Sequence, residues 1–173
     1  MQNAKYNFSS VQVNLPHDLA QEIIRWGKEH IPDNELYTDD KPGHLGREDE
    51  IHLTVLYGLH ADSPQQTKEL VSKTKPFPVH LTKIGIFSTN PDFDVVKINI
   101  DGDELRDLNA RLAKNCQHTN RHGSYQPHVT IAYVQKGDGW KHEGNSQFDG
   151  KSFMANELIF SSRSAGKSKI PLK

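Results

Sequence analysis

Cysteine is nearly missing from this chain: Cys116 is the single one among 173 residues. One thiol closes no internal disulfide, which excludes a disulfide-stapled secreted scaffold and makes a reducing, cytoplasmic setting the expectation. No apolar run approaches the roughly 18 residues of a membrane span. Residues 1 to 10 are polar and lack the basic-then-apolar layout of a secretory signal. Net charge is almost absent too, with 21 basic against 22 acidic side chains. That balance excludes the basic footprint needed for long DNA or RNA, while leaving room for a small anion on a local patch. There is no glycine-rich phosphate loop of Walker or Rossmann type and no Gly-x-Ser-x-Gly elbow. Cys116, His118 and His122 stand close together. Without a Cys-x-x-Cys, a His-Glu-x-x-His or a partner cysteine, however, no metal site and no cofactor are expected.

What is present is ordinary globular material, 34% hydrophobic and 25% charged. The length suits one domain over 1–173 with a real core, and no linker divides it. A strand is expected over 5–14, with a bulge near Ser9 and Ser10. Pro16 opens a helix whose apolar face is Leu19, Ile23, Ile24 and Trp26, ending near His30. Residues 32–50 read as a polar loop, either a lid over a site or plain surface. Strands follow at 51–58, 77–87 and 94–100, the last two paired, with a helix from Ser63 and Pro64 to about Lys73. Asp101 and Glu104 resemble a capping box for a helix carrying Leu105, Leu108, Leu112 and Ala113. A polar loop over 115–126, a strand over 127–134 and a strand pair at 153–161 and 168–172 complete the chain.

Histidine is plentiful, with ten residues, and two of them sit in a repeat. His52-Leu53-Thr54-Val55-Leu56-Tyr57 and His128-Val129-Thr130-Ile131-Ala132-Tyr133 both read His, apolar, Thr, apolar, apolar, Tyr. Composition alone gives roughly half of one His-x-Thr triplet, so the bare triplet carries little weight. The six-position match on two strands carries much more. His80-Leu81-Thr82 is a third triplet, but Lys83 and Gly85 break the longer pattern. The repeat predicts two lobes with one copy each. Strand alternation puts His52 and Thr54 on one face, and His128 and Thr130 likewise, with Leu53, Val55 and Tyr57 turned into a core. A His and Thr face on an apolar strand belongs in a wet cleft. There one imidazole takes a proton from an attacking hydroxyl and the other gives one to the leaving oxygen, while each Thr donates to a phosphate oxygen. This chemistry needs no metal.

On these two motifs the chain resembles the 2H phosphoesterase superfamily, which includes 2′-5′ RNA ligase-like proteins, cyclic phosphodiesterases and phage anti-CBASS nucleases. The segments GREDEIHLTVLYGLH and YQPHVTIAYVQKG look most like the anti-CBASS branch. The resemblance implies an α+β fold: two antiparallel-sheet lobes related by a pseudo-two-fold around a central cleft, with helices outside. It also implies metal-free cleavage, with His52, Thr54, His128 and Thr130 as catalytic residues. In the anti-CBASS branch the substrates are small cyclic oligonucleotides, and a ribose 2′-hydroxyl attacks the adjacent phosphate. Tyr6, Gln12, Arg121 and Tyr125 are candidates for contacting base or phosphate. Phe8, His122 and the tail residues Arg163, Lys167 and Lys169 are further ones. The leading expectation is a phosphodiesterase for small cyclic oligonucleotides. A 2′,3′-cyclic phosphodiesterase or RNA-end-processing enzyme stays open, as does a nucleotide-binding protein that does not cut.

Overall fold

The alternating segments join one antiparallel sheet. The computed structural model describes residues 7–39, 45–120, 123–164 and 166–173. Among them the strands are β1 (Ser9–Asn14), β2 (His52–Leu59), β3 (Phe77–Phe87), β4 (Phe93–Asp101), β5 (His128–Gln135), β6 (Ser152–Ala155), β7 (Glu157–Ser161) and β8 (Lys167–Pro171). The helices are α1 (His17–His30), α2 (Gln65–Leu70) and α3 (Asp103–Asn115). The sheet order is β6-β3-β4-β5-β2-β1-β7-β8. It reads the same from either end once β1 is matched with β4, β2 with β5, β7 with β3 and β8 with β6. The expected two-lobed α+β fold is therefore present, and the lobes meet at the β2–β5 pair.

The tail departs from expectation. Residues 153–161 are two strands, broken at Asn156: β6 pairs with β3, whereas β7 pairs with β1 and β8. Six strand spacings separate β6 from β7, about 29 Å if the sheet were flat. One residue reaches about 3.5 Å. The sheet therefore curls into a half-barrel that brings its two ends together.

α1 and α3 pack on the sheet at β5 and β2, and α2 packs on α3. Ile23 and Trp26 of α1 are buried, as are Leu105, Leu108 and Leu112 of α3. They pack with Val13, Leu53, Val55, Ile98 and Val129 in one core. Each fully buried aliphatic side chain of this kind contributes about 1.5–3 kcal/mol. The lobes exchange helices: α1, which follows β1, packs on β5, and α3, which follows β4, packs on β2. Gly27 fits closely there, since a Cβ on it would stand 3.1 Å from Ile131 Cγ2.

One local expectation needs correcting. Gly102 precedes α3 and no side chain caps it. Asp101 is held in the ladder opposite His80, so its backbone is not available as a cap. The described part of the 32–50 segment is joined to the sheet at two points. Leu36 and Arg47 bridge to Val134 and Ala132 of β5, and Arg47 Nη1 donates to Asp33 Oδ1 at 2.6 Å. The bulge near Ser9 and Ser10 is present as a register shift against β2.

Candidate active site

β2 and β5 run antiparallel with Leu53 opposite Val129. That register places His52 beside Thr130 and Thr54 beside His128. Facing side chains on adjacent strands lie about 5 Å apart and diagonal ones about 7–8 Å. The two imidazoles form the diagonal, a span that accommodates a phosphate group between them.

The flanking strands extend both rows. Asn14 and Gln12 of β1 stand beside His52 and Thr54. Lys97 and Asn99 of β4 stand beside Thr130 and His128. One row thus reads Asn14, His52, Thr130, Lys97, and the other Gln12, Thr54, His128, Asn99. Gln12 Nε2 donates to Asn14 Oδ1 at 2.9 Å, and Lys97 Nζ donates to Asn99 Oδ1. Gly85, opposite Lys97 on β3, leaves room for this pair: a Cβ there would meet the Asn99 amide at 2.7 Å.

Both histidines are oriented in the same way. His52 Nδ1 donates to Glu50 O at 2.7 Å, and His128 Nδ1 donates to Gln126 O at 2.8 Å. Each bond commits Nδ1 to the carbonyl two residues back, so proton exchange falls to Nε2. Neutral imidazole then presents a lone pair there, and imidazolium presents an N–H. The surroundings differ in charge. Burial pushes the Glu48 carboxyl up, while His52 pulls it down and Asp49 and Glu50 push it up. Burial also pulls the Lys97 ammonium down, against the attraction of Glu143.

The motif tyrosines are where the face reading fails. Tyr57 is 43% exposed rather than buried in a core. The register slips by one residue at Val55 in β2 and again at Ile131 in β5. Each extra residue inverts the alternation, so Tyr57 and Tyr133 join the histidine face. Tyr57 meets Phe8 edge-on at 5.9 Å, and Tyr133 meets Phe93 edge-on at 5.4 Å. Tyr37 adds a third ring at 5.3 Å from Phe93. Because β2 and β5 are antiparallel, the two aromatic groups lie at opposite ends of the polar rows. Burial pushes the Tyr133 hydroxyl up, with Glu48 adding to it.

Of the expected contact residues, Gln12 is on this face beside Thr54, 5% exposed. Tyr125 packs against the core, and its hydroxyl donates to Thr54 O at 2.8 Å. It braces the motif strand instead of offering a ring face to a base. Tyr6, Arg121 and His122 lie outside the described residues. Arg163 and Lys167 are tied to Asp62 and Glu50. His80 is exposed on β3, two strands from β5. Cys116 is buried, and burial pushes its thiol up.

The sequence reading missed Lys97, both asparagines and the second aromatic group. The signal was there: Phe8–Asn14 reads FSSVQVN and Phe93–Asn99 reads FDVVKIN. This second repeat has a different offset from the His-x-Thr repeat, so a single-period comparison passes over it.

A curled antiparallel sheet with helices outside and two His-x-Thr strands side by side defines a phosphoesterase of the 2H type. The chain belongs to the 2′-5′ RNA ligase superfamily, whose family model matches residues 19–154. Members of this 2H superfamily are phosphodiesterases, and the site is consistent with a phosphoric diester hydrolase. No curated protein matches the sequence. Among solved structures, Escherichia coli LigT in apo form is similar at a TM-score of 0.61 and 17% identity, covering 100% of this chain and 96% of that one. LigT complexed with 3′-AMP gives 0.55 and 19%, covering 96% and 95%. Kluyveromyces marxianus Usb1 with uridine monophosphate gives 0.54 and 12%, covering 96% and 98%. At these identities the likeness concerns the fold. No helix among the described residues is long and apolar enough to cross a membrane.

Proposed function

We propose that this protein is a metal-independent phosphodiesterase acting on small cyclic oligonucleotides, as in the anti-CBASS branch, with the whole chain working as one two-lobed unit in the cytoplasm. The observation that carries the catalytic part is the diagonal placement of His52 and His128, each beside the other motif's threonine. One Nε2 takes the proton of a ribose 2′-hydroxyl as its oxygen bonds to phosphorus. The P–O5′ bond breaks, and the leaving oxygen takes a proton from the other imidazolium. The products are a 2′,3′-cyclic phosphate and a 5′-hydroxyl. Thr54 and Thr130 donate to the non-bridging oxygens, where charge develops.

The substrate class is supported by the two aromatic groups, Phe8 with Tyr57 and Phe93 with Tyr133. A base stacks on any aromatic face. With one group at each end of the rows, a phosphate held at the centre has a platform on either side. A dinucleotide unit uses both platforms and a 2′,3′-cyclic mononucleotide uses one. Solved relatives carry 3′-AMP or uridine monophosphate, which is compatible with a small nucleotide ligand here.

The test is a product assay in EDTA with cyclic di- and trinucleotides, 2′,3′-cyclic mononucleotides and a short RNA. Wild type is expected to cleave a cyclic oligonucleotide. His52→Ala and His128→Ala each lose at least about 100-fold in rate, with unchanged melting temperature. Turnover of mononucleotide or RNA alone moves the substrate to the second reading. Substantial activity in either variant overturns the two-histidine mechanism.

A further inference from the structure

The two halves of the site match almost residue for residue: Phe8 with Phe93, Asn14 with Asn99, His52 with His128 and Thr54 with Thr130. The strand register and the second sequence repeat both give this correspondence. The rows differ at one position, where Gln12 in one lobe is Lys97 in the other. Both donate to the matching asparagine. A two-fold site has no preferred direction for a phosphodiester, which is polar along its chain. The Gln12 and Lys97 pair is where the rows themselves break that symmetry, by a full charge.

Lys97 is an unusual place to keep a cation. The residue is 5% exposed. Among the described residues no carboxylate stands within ion-pair distance of it. Its ammonium lies 4.1 Å from the centre of the Phe87 ring, which in turn meets His128 edge-on at 4.8 Å. Glu143 attracts it only from beyond ion-pair distance, and a covered ammonium whose direct partners among the described residues are an amide oxygen and a ring face is costly unless an anion completes its shell. Here that face also carries Thr130 and His128, where the proposed reaction places a phosphate.

We propose that Lys97 is a catalytic residue that contacts a non-bridging oxygen of the scissile phosphate and thereby fixes which way the substrate lies across the pseudo-two-fold site. The inference rests on reading this face as a phosphodiester site. It assigns the β4–β5 half to the phosphate charge and gives His52 and His128 non-interchangeable roles. The Gln12 lobe binds the same group more weakly, because a neutral amide lacks the charge-assisted part of the bond.

The test uses inorganic phosphate as probe and does not depend on turnover. In protein labelled with 15N-lysine, phosphate is expected to shift the Lys97 15Nζ resonance. Lys97→Gln makes the two lobes chemically alike and is expected to weaken phosphate binding on the order of tenfold. The transposed double variant Gln12→Lys/Lys97→Gln recovers binding, since the cation then sits in the equivalent place of the other lobe. A Lys97 resonance unmoved by phosphate overturns the proposal, as does Lys97→Gln binding phosphate as tightly as wild type. A double variant as weak as Lys97→Gln overturns the symmetry argument. Wild type that binds phosphate through Lys97 yet cleaves no diester refutes the proposed function and leaves the Lys97 contact standing. Cleavage by Lys97→Gln at the wild-type rate does the reverse.

Discussion

His52 and His128 owe their shared orientation to one backbone device. In each case the carbonyl two residues back accepts from Nδ1, through Glu50 O at 2.7 Å and Gln126 O at 2.8 Å. The side chain alone does not specify this; the extended backbone before each motif does. The threonines are simpler, because they contribute a hydroxyl on a half-buried strand position. Valine keeps their shape and β-branching and removes only the donor. Thr54→Val and Thr130→Val are each expected to slow turnover on the order of 100-fold with almost no change in melting temperature, as read by steady-state kinetics beside a thermal melt. A parallel loss of stability and activity contradicts the assigned role.

Strands and bulges decide which residues reach that face. The extra residue at Val55 or Ile131 costs a ladder pairing and rotates everything beyond it. Its carbonyl is then satisfied elsewhere: Val55 O accepts from Asn109 Nδ2 at 2.8 Å, and Ile131 O accepts from the Glu48 amide at 2.9 Å. Gly58 extends the device on β2. Its φ is +92°, and a Cβ there would meet Thr119 O at 2.3 Å, which is a backbone atom that cannot swing aside. Gly58→Ala therefore combines a left-handed backbone with a clash, and is expected to cost about 2–4 kcal/mol in denaturant unfolding. It also disturbs Tyr57 and weakens nucleotide binding. An alanine variant of wild-type stability contradicts this account of the β2 end.

At the scale of the whole molecule, α1 packs against a buried imidazole from the turn Trp140–His142, which rests on β3. His142, 8% exposed, meets Trp26 edge-on at 5.5 Å, and no partner of its Nε2 is present among the described residues. Burial pulls its pKa below the ordinary histidine value, with Lys141 and His30 pulling the same way and Glu35 opposing. The unfolded chain thus binds this proton more readily than the folded one. The stability this group contributes is complete above about pH 6.5 and is lost as pH falls below it. Melting curves between pH 7.5 and 5 are expected to fall in wild type and to flatten in His142→Phe. Equal slopes in the two proteins rule out His142 as the source.

Much of this was legible in the chain. The paired hexapeptides marked His52, Thr54, His128 and Thr130 as candidates, because a six-position match on two strands is improbable by chance, and the β2–β5 register sets them side by side. The apolar periodicities located both long helices and most strands, because period 3.6 and period 2 are local properties. Other features were decided only by tertiary structure. A bulge is a mismatch between two strands, so neither Val55 nor Ile131 announces it alone, and simple alternation puts Tyr57 on the core face although it is exposed. Asn156 divides two strands only because the sheet curls until its ends meet. Lys97 reads in the sequence as one more lysine on a strand. Its significance comes from standing across from Thr130 and beside Phe87 and His128, where pairing of distant segments buries a charge that local sequence gives no reason to bury.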